Sequence, residues 1–495
     1  MRTSRLHFAD GDVRTPSVRP SVLSAGRPLI ANYHFSIFTF LIFNFYFLIL
    51  YFSLITFHLS LFLSYLCTQT FRRQMNTLDE HTLQFVREHR QDDVRELMLS
   101  AQRWPQVDVR QACVQIAAWQ RARQKLPSWA ANDAIRYPEQ LSMEQCSSEL
   151  TARYKGEVAR RHLLASGEGR TEATRRMADL TGGFGVDATM LAQSLSPCRL
   201  TFVERSPELC DLARHNLPLL GVDRANVLCT DCEQALARLP RQHLLFLDPA
   251  RRDQHGGRTY AIADCTPDVA RLLTSLRERC DVLMLKLSPM LDLSAALREL
   301  QGVGEVHVVS VDGECKELLL IIKGSAASPA QDITPLAGER GEAYVCVNLS
   351  DRHPRQTFVF THAEERQAAC PYTTTLRRYL YEPNASVLKA GAYKCVAQRY
   401  SLEKLHPSSH LYTADTLVAD FPGRCFEVVA SSDFAKRKLK DLLAGLSKAN
   451  LSVRNFPLGV AELRRRLHLG EGGDDYLFAT TLADGQHCLI QCQKC

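Results

Sequence analysis

The sequence predicts an α/β fold in which a parallel sheet, covered by helices, occupies the middle of the chain. Three observations support this: strand-like apolar runs alternate with helical patterns between residues 175 and 325, glycines cluster after the first run, and an acid follows each of the first four runs. Strands that alternate with helices form parallel sheets, whose ligands bind beyond the carboxyl ends of the strands. The carboxyl edge of this sheet is therefore the predicted site.

The first 74 residues differ from the rest of the chain in charge and composition. They hold seven arginines, no lysine and two aspartates, so most of the formal net charge of +6 lies there. Residues 35–67 are long enough to span a bilayer, which takes about 20 apolar residues. They lack alanine, glycine and valine, whose codons begin with G. We interpret residues 1–74 as a misassigned start, with a membrane anchor as the alternative if residues 35–67 are genuinely translated.

Residues 75–166 are predicted to form a helical N-terminal domain. Apolar residues recur at helical spacing over 78–89 and 109–124, and a third helix is predicted over 142–164. We find no chemistry in this region and expect its lysines and arginines to lie on a solvated face.

The 17 cysteines are scattered along the chain, as in proteins of a reducing compartment. Cys229 and Cys232 have the spacing of a metal or redox pair, and three more cysteines crowd the C-terminus. Neither group has the matching second pair of ligands that a zinc site needs. We therefore predict no metal site and, if the chain starts at Met75, a cytoplasmic protein without stable membrane association.

Residues 167–342 are predicted to form the sheet domain, with strands at 177–180, 199–203, 226–228, 243–247, 282–287, 306–311 and 318–322. The loop after the first strand is rich in glycine, which lets the backbone turn tightly and approach a ligand closely. It lacks the G-x-G-x-x-G spacing of a dinucleotide site, and it begins with an acid that would repel pyrophosphate and attract an ammonium group. The loop therefore favours S-adenosylmethionine over NAD. Its candidate cofactor-binding residues are Asp179, Thr181, Gly182, Gly183 and Gly185.

Three more acids follow the next three strands. Glu204 lies 25 residues after Asp179, where a carboxylate accepts hydrogen bonds from both ribose hydroxyls of a bound nucleoside. Asp231 follows the third strand, where its side chain can reach an adenine amine. Asp248 follows the fourth strand and faces the position of the transferred methyl group. In this order and spacing the four acids predict a binding site for an adenine nucleoside that carries an amino acid.

This pattern resembles the class I S-adenosylmethionine-dependent methyltransferases over residues 170–325. Six other segments carry a more specific resemblance: Lys286-Leu-Ser-Pro-Met-Leu-Asp292, Glu314-Cys-Lys-Glu-Leu318, Tyr379-Leu-Tyr-Glu-Pro-Asn-Ala385, Lys389-Ala-Gly391, His410-Leu-Tyr412 and Gly472-Gly-Asp-Asp-Tyr-Leu-Phe478. They are similar to one bacterial family that pairs a Rossmann-like methyltransferase domain with a ferredoxin-like segment and a C-terminal THUMP-like domain. The resemblance implies a linker and ferredoxin-like segment at 343–423 and a THUMP-like domain at 424–495. Its members begin near the equivalent of Met75.

The resemblance also implies an RNA methyltransferase, since THUMP-type domains are associated with RNA. The residues add two basic clusters, at 436–440 and 464–466, that could hold phosphates. Tyr379, Tyr381 and Phe456 are candidates for stacking on RNA bases. An RNA-binding or assembly protein with a vestigial methyltransferase fold, and a methyltransferase that acts on proteins or small molecules, stay open as alternatives.

We predict direct in-line methyl transfer to a base, with Asp248, Pro249 and Arg251 as the catalytic residues. Asp248 and the carbonyls around Pro249 would accept hydrogen bonds from the target amine, and Arg251 or Arg252 would contact a phosphate. The Asp-Pro-Ala-Arg tetrad at 248–251 lacks the aromatic ring that amino-methylating enzymes usually carry there, which puts an exocyclic amine in doubt. Ser288 stands where a nucleophilic cysteine would be expected, so covalent catalysis is disfavoured.

Overall fold

The computed structural model describes residues 78–164, 175–251, 262, 265–325 and 342–495. The leader at 1–74 and the predicted start at Met75 lie outside these residues. Among the helices that are described, none combines the length and the apolar character needed to cross a membrane.

The described residues ahead of the first strand are helical. The helices are α1 (Glu80–His89), α2 (Val94–Leu99), α3 (Val109–Lys125), α4 (Pro127–Ala130), α5 (Gln140–Gln145) and α6 (Glu149–Leu164), with a 3-10 turn at Ala101–Arg103. Asp79, Asp93 and Asp108 precede α1, α2 and α3 and accept hydrogen bonds from backbone N–H groups of the first turn, which fixes where these helices begin. The single helix predicted over 142–164 is two helices, because Cys146 adopts an extended backbone after α5.

The middle of the chain contains eleven strands among its described residues: β1 (Arg175–Asp179), β2 (Cys198–Glu204), β3 (Ala225–Cys229), β4 (Gln242–Leu247), β5 (Ala250–Arg251), β6 (Cys265–Thr266), β7 (Cys280–Leu287), β8 (Val303–Val311), β9 (Glu314–Lys323), β10 (Ala343–Leu349) and β11 (Gln356–Thr361). The two-residue strands β5 and β6 pair only with each other, and the other nine form one sheet with the order β11-β10-β8-β9-β7-β4-β1-β2-β3. Strands β1, β2, β3, β4 and β7 run parallel, so their carboxyl ends meet at one edge. Strand β9 is antiparallel to both of its neighbours.

Helices cover both faces of this sheet. They are α7 (Val186–Ser194), α8 (Pro207–Leu219), α9 (Cys232–Arg238), α10 (Val269–Glu278) and α11 (Leu293–Glu299). Successive strand residues point to opposite faces, so Ala178 and Leu245 belong to one buried cluster while Met177 and Leu244 belong to the other. Tyr154 and other residues of α6 join the second cluster. The helical region and the sheet therefore share a core.

The sheet continues beyond the domain boundary predicted at residue 343. Strand β10 pairs in parallel with β8, and β11 pairs antiparallel with β10. Buried Tyr344, Cys346 and Phe358 extend the same core that lies under β4 and β7. Residues 343–361 are therefore two edge strands of the large sheet, which differs from the linker expected there, because their apolar residues complete an existing core.

The C-terminal region forms a second sheet of seven strands with the order β13-β14-β12-β15-β18-β17-β16. Its elements are α12 (His362–Gln367), β12 (Tyr379–Pro383), α13 (Ala385–Ala390), α14 (Tyr393–Arg399), β13 (Glu403–Lys404), β14 (Tyr412–Ala414), β15 (Gly423–Asp433), α15 (Lys436–Leu442), β16 (Lys448–Arg454), α16 (Val460–Leu467), β17 (Gly470–Thr481) and β18 (His487–Lys494). The first half of β15 pairs with β12 and its second half pairs with β18. One long strand therefore belongs to both parts of this region.

Candidate active site

A cavity of about 1280 Å³ opens at the carboxyl edge of the parallel strands. Its walls come from the segments that follow β1, β2, β3, β4 and β7, and from residues between 138 and 147 of the helical region. The predicted site residues whose side chains are described all line it: Asp179, Thr181, Gly182, Gly183, Gly185, Glu204, Asp231, Asp248 and Pro249. Strand topology alone brings these residues together, because parallel neighbours end at the same edge.

The glycine loop fits closely against β2 and leads into α7. A Cβ atom on Gly182 would lie 2.3 Å from the ring of Phe202, so no other residue fits there without a shift. Gly183 and Gly185 have φ angles of +55° and +91°, in the left-handed region that favours glycine. Gly185 is also the N-cap of α7, which leaves backbone N–H groups free to face the cavity.

Asp179 is buried, and its carboxylate is bonded to the loop that follows it. Its Oδ1 accepts hydrogen bonds from the backbone N–H of Thr181 at 2.9 Å and from the Thr181 hydroxyl at 3.3 Å. Burial raises the pKa of Asp179 to about 8, against the effect of these bonds and with help from the nearby carboxylates of Asp187 and Asp248. Near neutral pH this carboxyl group is therefore largely protonated.

Glu204 and Asp231 hold the two loops next to the glycine loop. Glu204 accepts the backbone N–H of Gly183 at 2.9 Å with one oxygen and that of Ser206 at 2.8 Å with the other. Asp231 is the N-cap of α9 and accepts the backbone N–H of Gln234 at 2.8 Å. Each carboxylate oxygen can accept a second hydrogen bond, so both side chains can still bind hydroxyl or amine donors in the cavity.

Asp248 directly follows β4 and is tied to the glycine loop. Its backbone N–H donates to the Thr181 hydroxyl at 2.7 Å, so Thr181 connects Asp179 to Asp248. Pro249 is buried beside it. The backbone of Arg251 pairs with Cys265 in the β5–β6 hairpin, while the Arg251 side chain and Arg252 lie outside the described residues.

The sequence analysis missed a cluster of charged side chains beside Asp248, here called the lysine cluster. Its members are Lys155 from α6, Asp187 from α7, Asp248, Lys286 from β7 and Glu317 from β9. The Nζ atom of Lys155 lies 2.7 Å from Glu317 Oε1 and 3.1 Å from Asp187 Oδ1. Lys286 forms an ion pair with Asp248, and its Nζ lies 3.9 Å from Asp187 Oδ2. The positive and negative side chains therefore alternate toward the cavity wall, in the order Glu317, Lys155, Asp187, Lys286 and Asp248.

The opposite charges of the lysine cluster keep Lys286 and Asp187 ionised although both side chains are buried. Burial by itself would lower the pKa of Lys286, but the carboxylates of Asp248 and Asp187 outweigh it and raise the pKa above its ordinary value. Burial likewise opposes the charge on Asp187, but Lys155 and Lys286 outweigh it and lower the pKa of its carboxyl group. Lys286 is therefore an ammonium ion at physiological pH, fixed at the cavity wall beside Asp248.

Lys155 corrects the expectation that the lysines of the helical region form a solvated face. Its side chain is 0% exposed and also donates to the hydroxyl of Ser147 at 3.2 Å. Ser147 in turn donates to Asp187 at 2.7 Å and lines the cavity. The helical region therefore supplies part of the site.

A signal for two of the missed residues is present in the sequence. Lys286 interrupts the apolar run of β7, and Glu317 directly precedes the apolar run 318–322. Charged residues inside such runs are seldom buried without a partner. Lys155 has no comparable signal, since a lysine on an amphipathic helix is usually solvated.

The candidate RNA-binding residues of the C-terminal region differ in exposure. Lys436, Arg437, Lys438 and Lys440 are exposed on α15, and Arg465 and Arg466 are exposed on α16. Arg464 instead donates to the backbone carbonyls of Ala449 and Gly470. Tyr381 is 0% exposed, so the expectation that it stacks on a base is wrong. Tyr379 and Phe456 are half-buried.

A separate group of possible metal ligands lies away from the cavity, among residues of α6 and β8. Ligand atoms of His162, Glu305 and His307 all lie within 4.8 Å of one another. Arg161 Nη2 lies 2.5 Å from Glu305 Oε1 and 3.4 Å from His307 Nε2. The guanidinium therefore already places a positive charge where an ion would lie.

Two family models match the C-terminal region. A ferredoxin-like domain matches residues 379–422, and a THUMP domain-like family matches residues 423–494. The two matches meet inside the second sheet, at the first residue of β15. No curated protein sequence matches the chain.

Solved structures of other methyltransferases match parts of the chain. A predicted O-methyltransferase from Agrobacterium tumefaciens is 23% identical over 34% of this chain and 82% of that chain, with a TM-score of 0.24. The N-terminal domain of human METTL16 in complex with SAH is 14% identical over 43% of this chain and 82% of that chain, with a TM-score of 0.31.

One crystal structure matches almost from end to end. It is a candidate methyltransferase from Porphyromonas gingivalis W83, 35% identical over 84% of this chain and 97% of that chain, with a TM-score of 0.70. The two C-terminal family matches agree with the resemblance found in the sequence. The chain belongs to the bacterial class I methyltransferase family that carries a C-terminal ferredoxin-like segment and a THUMP-like domain.

Proposed function

We propose that the protein is an S-adenosylmethionine-dependent methyltransferase that acts on RNA by direct in-line methyl transfer. The observation that carries this proposal is one cavity that joins the glycine loop to four strand-end acids, Asp179, Glu204, Asp231 and Asp248. The relative from Porphyromonas gingivalis, itself a candidate methyltransferase, supports the same reaction class.

The residues present fit S-adenosylmethionine better than a dinucleotide. Gly182 packs against the ring of Phe202 and Gly183 adopts a positive φ angle, so the loop forms the tight turn that close approach of a ligand requires. Glu204 and Asp231 would accept hydrogen bonds from the ribose hydroxyls and the adenine amine. The carboxylates around Asp179 favour a cationic ligand and oppose a pyrophosphate. When bound, this cofactor supplies a methyl group on a sulfonium, so the protein contributes position and electrostatics.

The RNA substrate is supported by the C-terminal region. The THUMP domain-like match covers both α15 and α16, and these helices expose six basic side chains. Exposed lysine and arginine residues bind phosphates and release counterions, which is the main source of affinity for nucleic acids. A base as the methyl acceptor stays a prediction from the sequence.

Calorimetry with the full-length chain and S-adenosylmethionine tests the cofactor. We expect one site per chain, and we expect Glu204→Gln to weaken binding at least tenfold because it loses the charge that accepts two hydroxyl donors. Glu427→Gln, in the second sheet, is the matched control and should bind within twofold of the parent. Absence of binding would favour the vestigial fold.

Transfer of a radiolabelled methyl group to RNA tests the substrate. RNA from a strain that lacks the gene should accept label, and ribonuclease should release that label as small products. Label that stays in protein or in small molecules after this treatment would contradict an RNA substrate.

A further inference from the structure

The lysine cluster constrains what kind of atom accepts the methyl group. Of its five members, Asp187, Asp248 and Lys286 line the cavity, whereas Lys155 and Glu317 lie behind them. Lys155 and Glu317 are 0% and 2% exposed, and the Nζ atom of Lys155 lies within 2.8 Å of both carboxylate oxygens of Glu317. The inner pair therefore anchors Asp187, and Asp187 with Asp248 holds the Lys286 ammonium at the cavity wall.

The position of Lys286 relative to Asp248 follows from the sheet. Leu247 of β4 is the register partner of Leu285 of β7, so the next residues on these parallel strands, Asp248 and Lys286, leave the same edge side by side. Asp248 is 35% exposed at its side chain and Lys286 is 12% exposed. An acceptor that contacts Asp248 from the cavity therefore also lies next to the Lys286 ammonium.

The charge on the acceptor changes during methyl transfer, and the sign depends on the atom. A neutral amine becomes more positive as it attacks a methyl group, so a fixed ammonium beside it opposes the reaction. A hydroxyl instead loses its proton and develops negative charge on oxygen, which a neighbouring ammonium stabilises. The lysine cluster therefore favours an oxygen acceptor over an amine.

The aromatic residues of the cavity point the same way. Among the described residues that line it, the aromatic side chains are Phe184 and Phe246, which are 4% and 1% exposed. Phe184 packs against Trp129 and Tyr137 rather than facing open space. The described wall thus offers no exposed ring on which a flipped base could stack, as a base-directed enzyme would require.

We propose that the methyl acceptor is a ribose 2′-hydroxyl of RNA, with Lys286 stabilising the developing oxygen anion and Asp248 accepting the proton. The inference rests on the proposed function. The hydroxyl oxygen forms the bond to the methyl carbon, and the electron pair of the carbon–sulfur bond stays on sulfur, which becomes a neutral thioether. The hydroxyl proton goes to Asp248 and from there to water. The 2′-hydroxyl is the acceptor that RNA has and DNA lacks.

This acceptor differs from the base expected from the sequence. That expectation came from the family resemblance and from Asp248, Pro249 and Arg251, and the missing aromatic ring of the tetrad had already put an exocyclic amine in doubt. The structure places the Lys286 ammonium beside Asp248. This positive charge favours an acceptor atom that becomes negative during transfer over one that becomes positive.

The test is the position of the methyl group in RNA labelled by the full-length protein. RNA from a strain that lacks the gene is treated with S-adenosylmethionine carrying a labelled methyl group, and the product is divided between alkaline hydrolysis and nucleoside mass spectrometry. We expect the label in an alkali-resistant dinucleotide and in a 2′-O-methylnucleoside, and no label in DNA of the same sequence. Label on a base would overturn this inference and leave the proposed function standing, while absence of label from RNA would overturn the proposed function and this inference with it.

Lys286→Met tests the role of the ammonium. We expect transfer to fall at least hundredfold at pH 7 while the Kd for S-adenosylmethionine stays within threefold. The remaining activity should rise about tenfold per pH unit above pH 7, because the fraction of the ribose hydroxyl that has lost its proton to hydroxide rises tenfold per unit. Lys323→Met is the matched control, since Lys323 ends β9 near the opposite edge of the same sheet, and it should retain activity within twofold. Equal activity of Lys286→Met and the control would overturn the assignment.

Discussion

Two groups of charged side chains surround the cavity, and they differ in how the fold assembles them. The acidic row, Asp179, Glu204, Asp231 and Asp248, stands at or just beyond the carboxyl ends of four neighbouring parallel strands, with one acid for each strand. The lysine cluster takes its members from two helices, the end of β4 and the strands β7 and β9, and its inner pair, Lys155 and Glu317, is separated by 162 residues in the sequence. The acidic row depends on the repeated strand-and-helix unit, which is encoded locally in the sequence. The lysine cluster forms only when the helical region packs on the sheet.

We therefore expect substitutions in the acidic row and in the lysine cluster to affect different properties of the protein. Glu204 and Asp231 combine a loop-holding bond with capacity for a ligand, so changes there should affect the affinity for the cofactor. Lys155 and Glu317 are sealed from the cavity, so changes there should affect stability and the position of Lys286. Asp248 belongs to both groups.

The largest effect is expected at the residue that the two groups share. Asp248→Ala should lower the rate of methyl transfer at least a thousandfold, because it removes the proton acceptor and leaves Lys286 without its nearest anion. The Kd for S-adenosylmethionine should change only a few-fold. Single-turnover transfer and calorimetry on the same preparation check both numbers, and full activity of the variant would refute the site assignment.

A buried cation should matter more for folding than an exposed one. Lys155→Met leaves Glu317 and Asp187 without their common partner, and breaking a buried ion pair in this way costs about 3–5 kcal/mol in the free energy of unfolding. Lys316→Met, at a lysine that lines the cavity mouth with 42% of its side chain exposed, should change it by less than about 0.5 kcal/mol. Urea unfolding followed by circular dichroism measures both variants. Equal stability of the two would mean that Lys155 is not buried as a charge.

The pH dependence of cofactor binding tests the acidic row. Asp179 has a pKa of about 8 in the free protein, so below pH 8 it must release a proton before its carboxylate can attract a cationic ligand. Affinity for S-adenosylmethionine should therefore rise with pH, by at most about tenfold per unit, and level off above pH 8. Calorimetry in buffers of different ionisation enthalpy should detect the released proton. Asp179→Asn should remove this pH dependence, and a parent protein with the same affinity at pH 6 and pH 8 would contradict the assignment.

The smallest effect is expected at the exposed cations of the second sheet. Replacing Arg465 and Arg466 by alanine should weaken RNA binding several-fold. The slope of log K against log salt concentration should fall by the equivalent of about one to two phosphate contacts. Cofactor affinity should be unchanged, because α16 does not line the cavity. Filter binding at a series of salt concentrations measures the slope, and an unchanged slope would exclude α16 from the RNA contact.

The acidic row and the parallel strands that carry it were predictable because both depend on local pattern. Asp248 stands directly after a short apolar run and Asp231 stands shortly after another, and the carboxyl ends of parallel strands meet at one edge of the sheet. The glycine loop was predictable for the same reason, since Gly183 and Gly185 take backbone angles that few other residues adopt. Residues 343–361 were placed in the wrong unit, because an apolar strand does not reveal which of two sheets it will join.

By itself the sequence determined the α/β fold, the position of the ligand edge and the acids that line it. These features depend on the spacing of residues along the sequence, which is the same however the rest of the chain packs. Only the tertiary structure decided that Lys155 is buried, that it reaches Glu317 and Asp187, and that an ammonium ion stands beside Asp248. The reason is desolvation: a lysine on a helix faces water unless packing removes the water and supplies carboxylates in its place, and those carboxylates come from other parts of the chain.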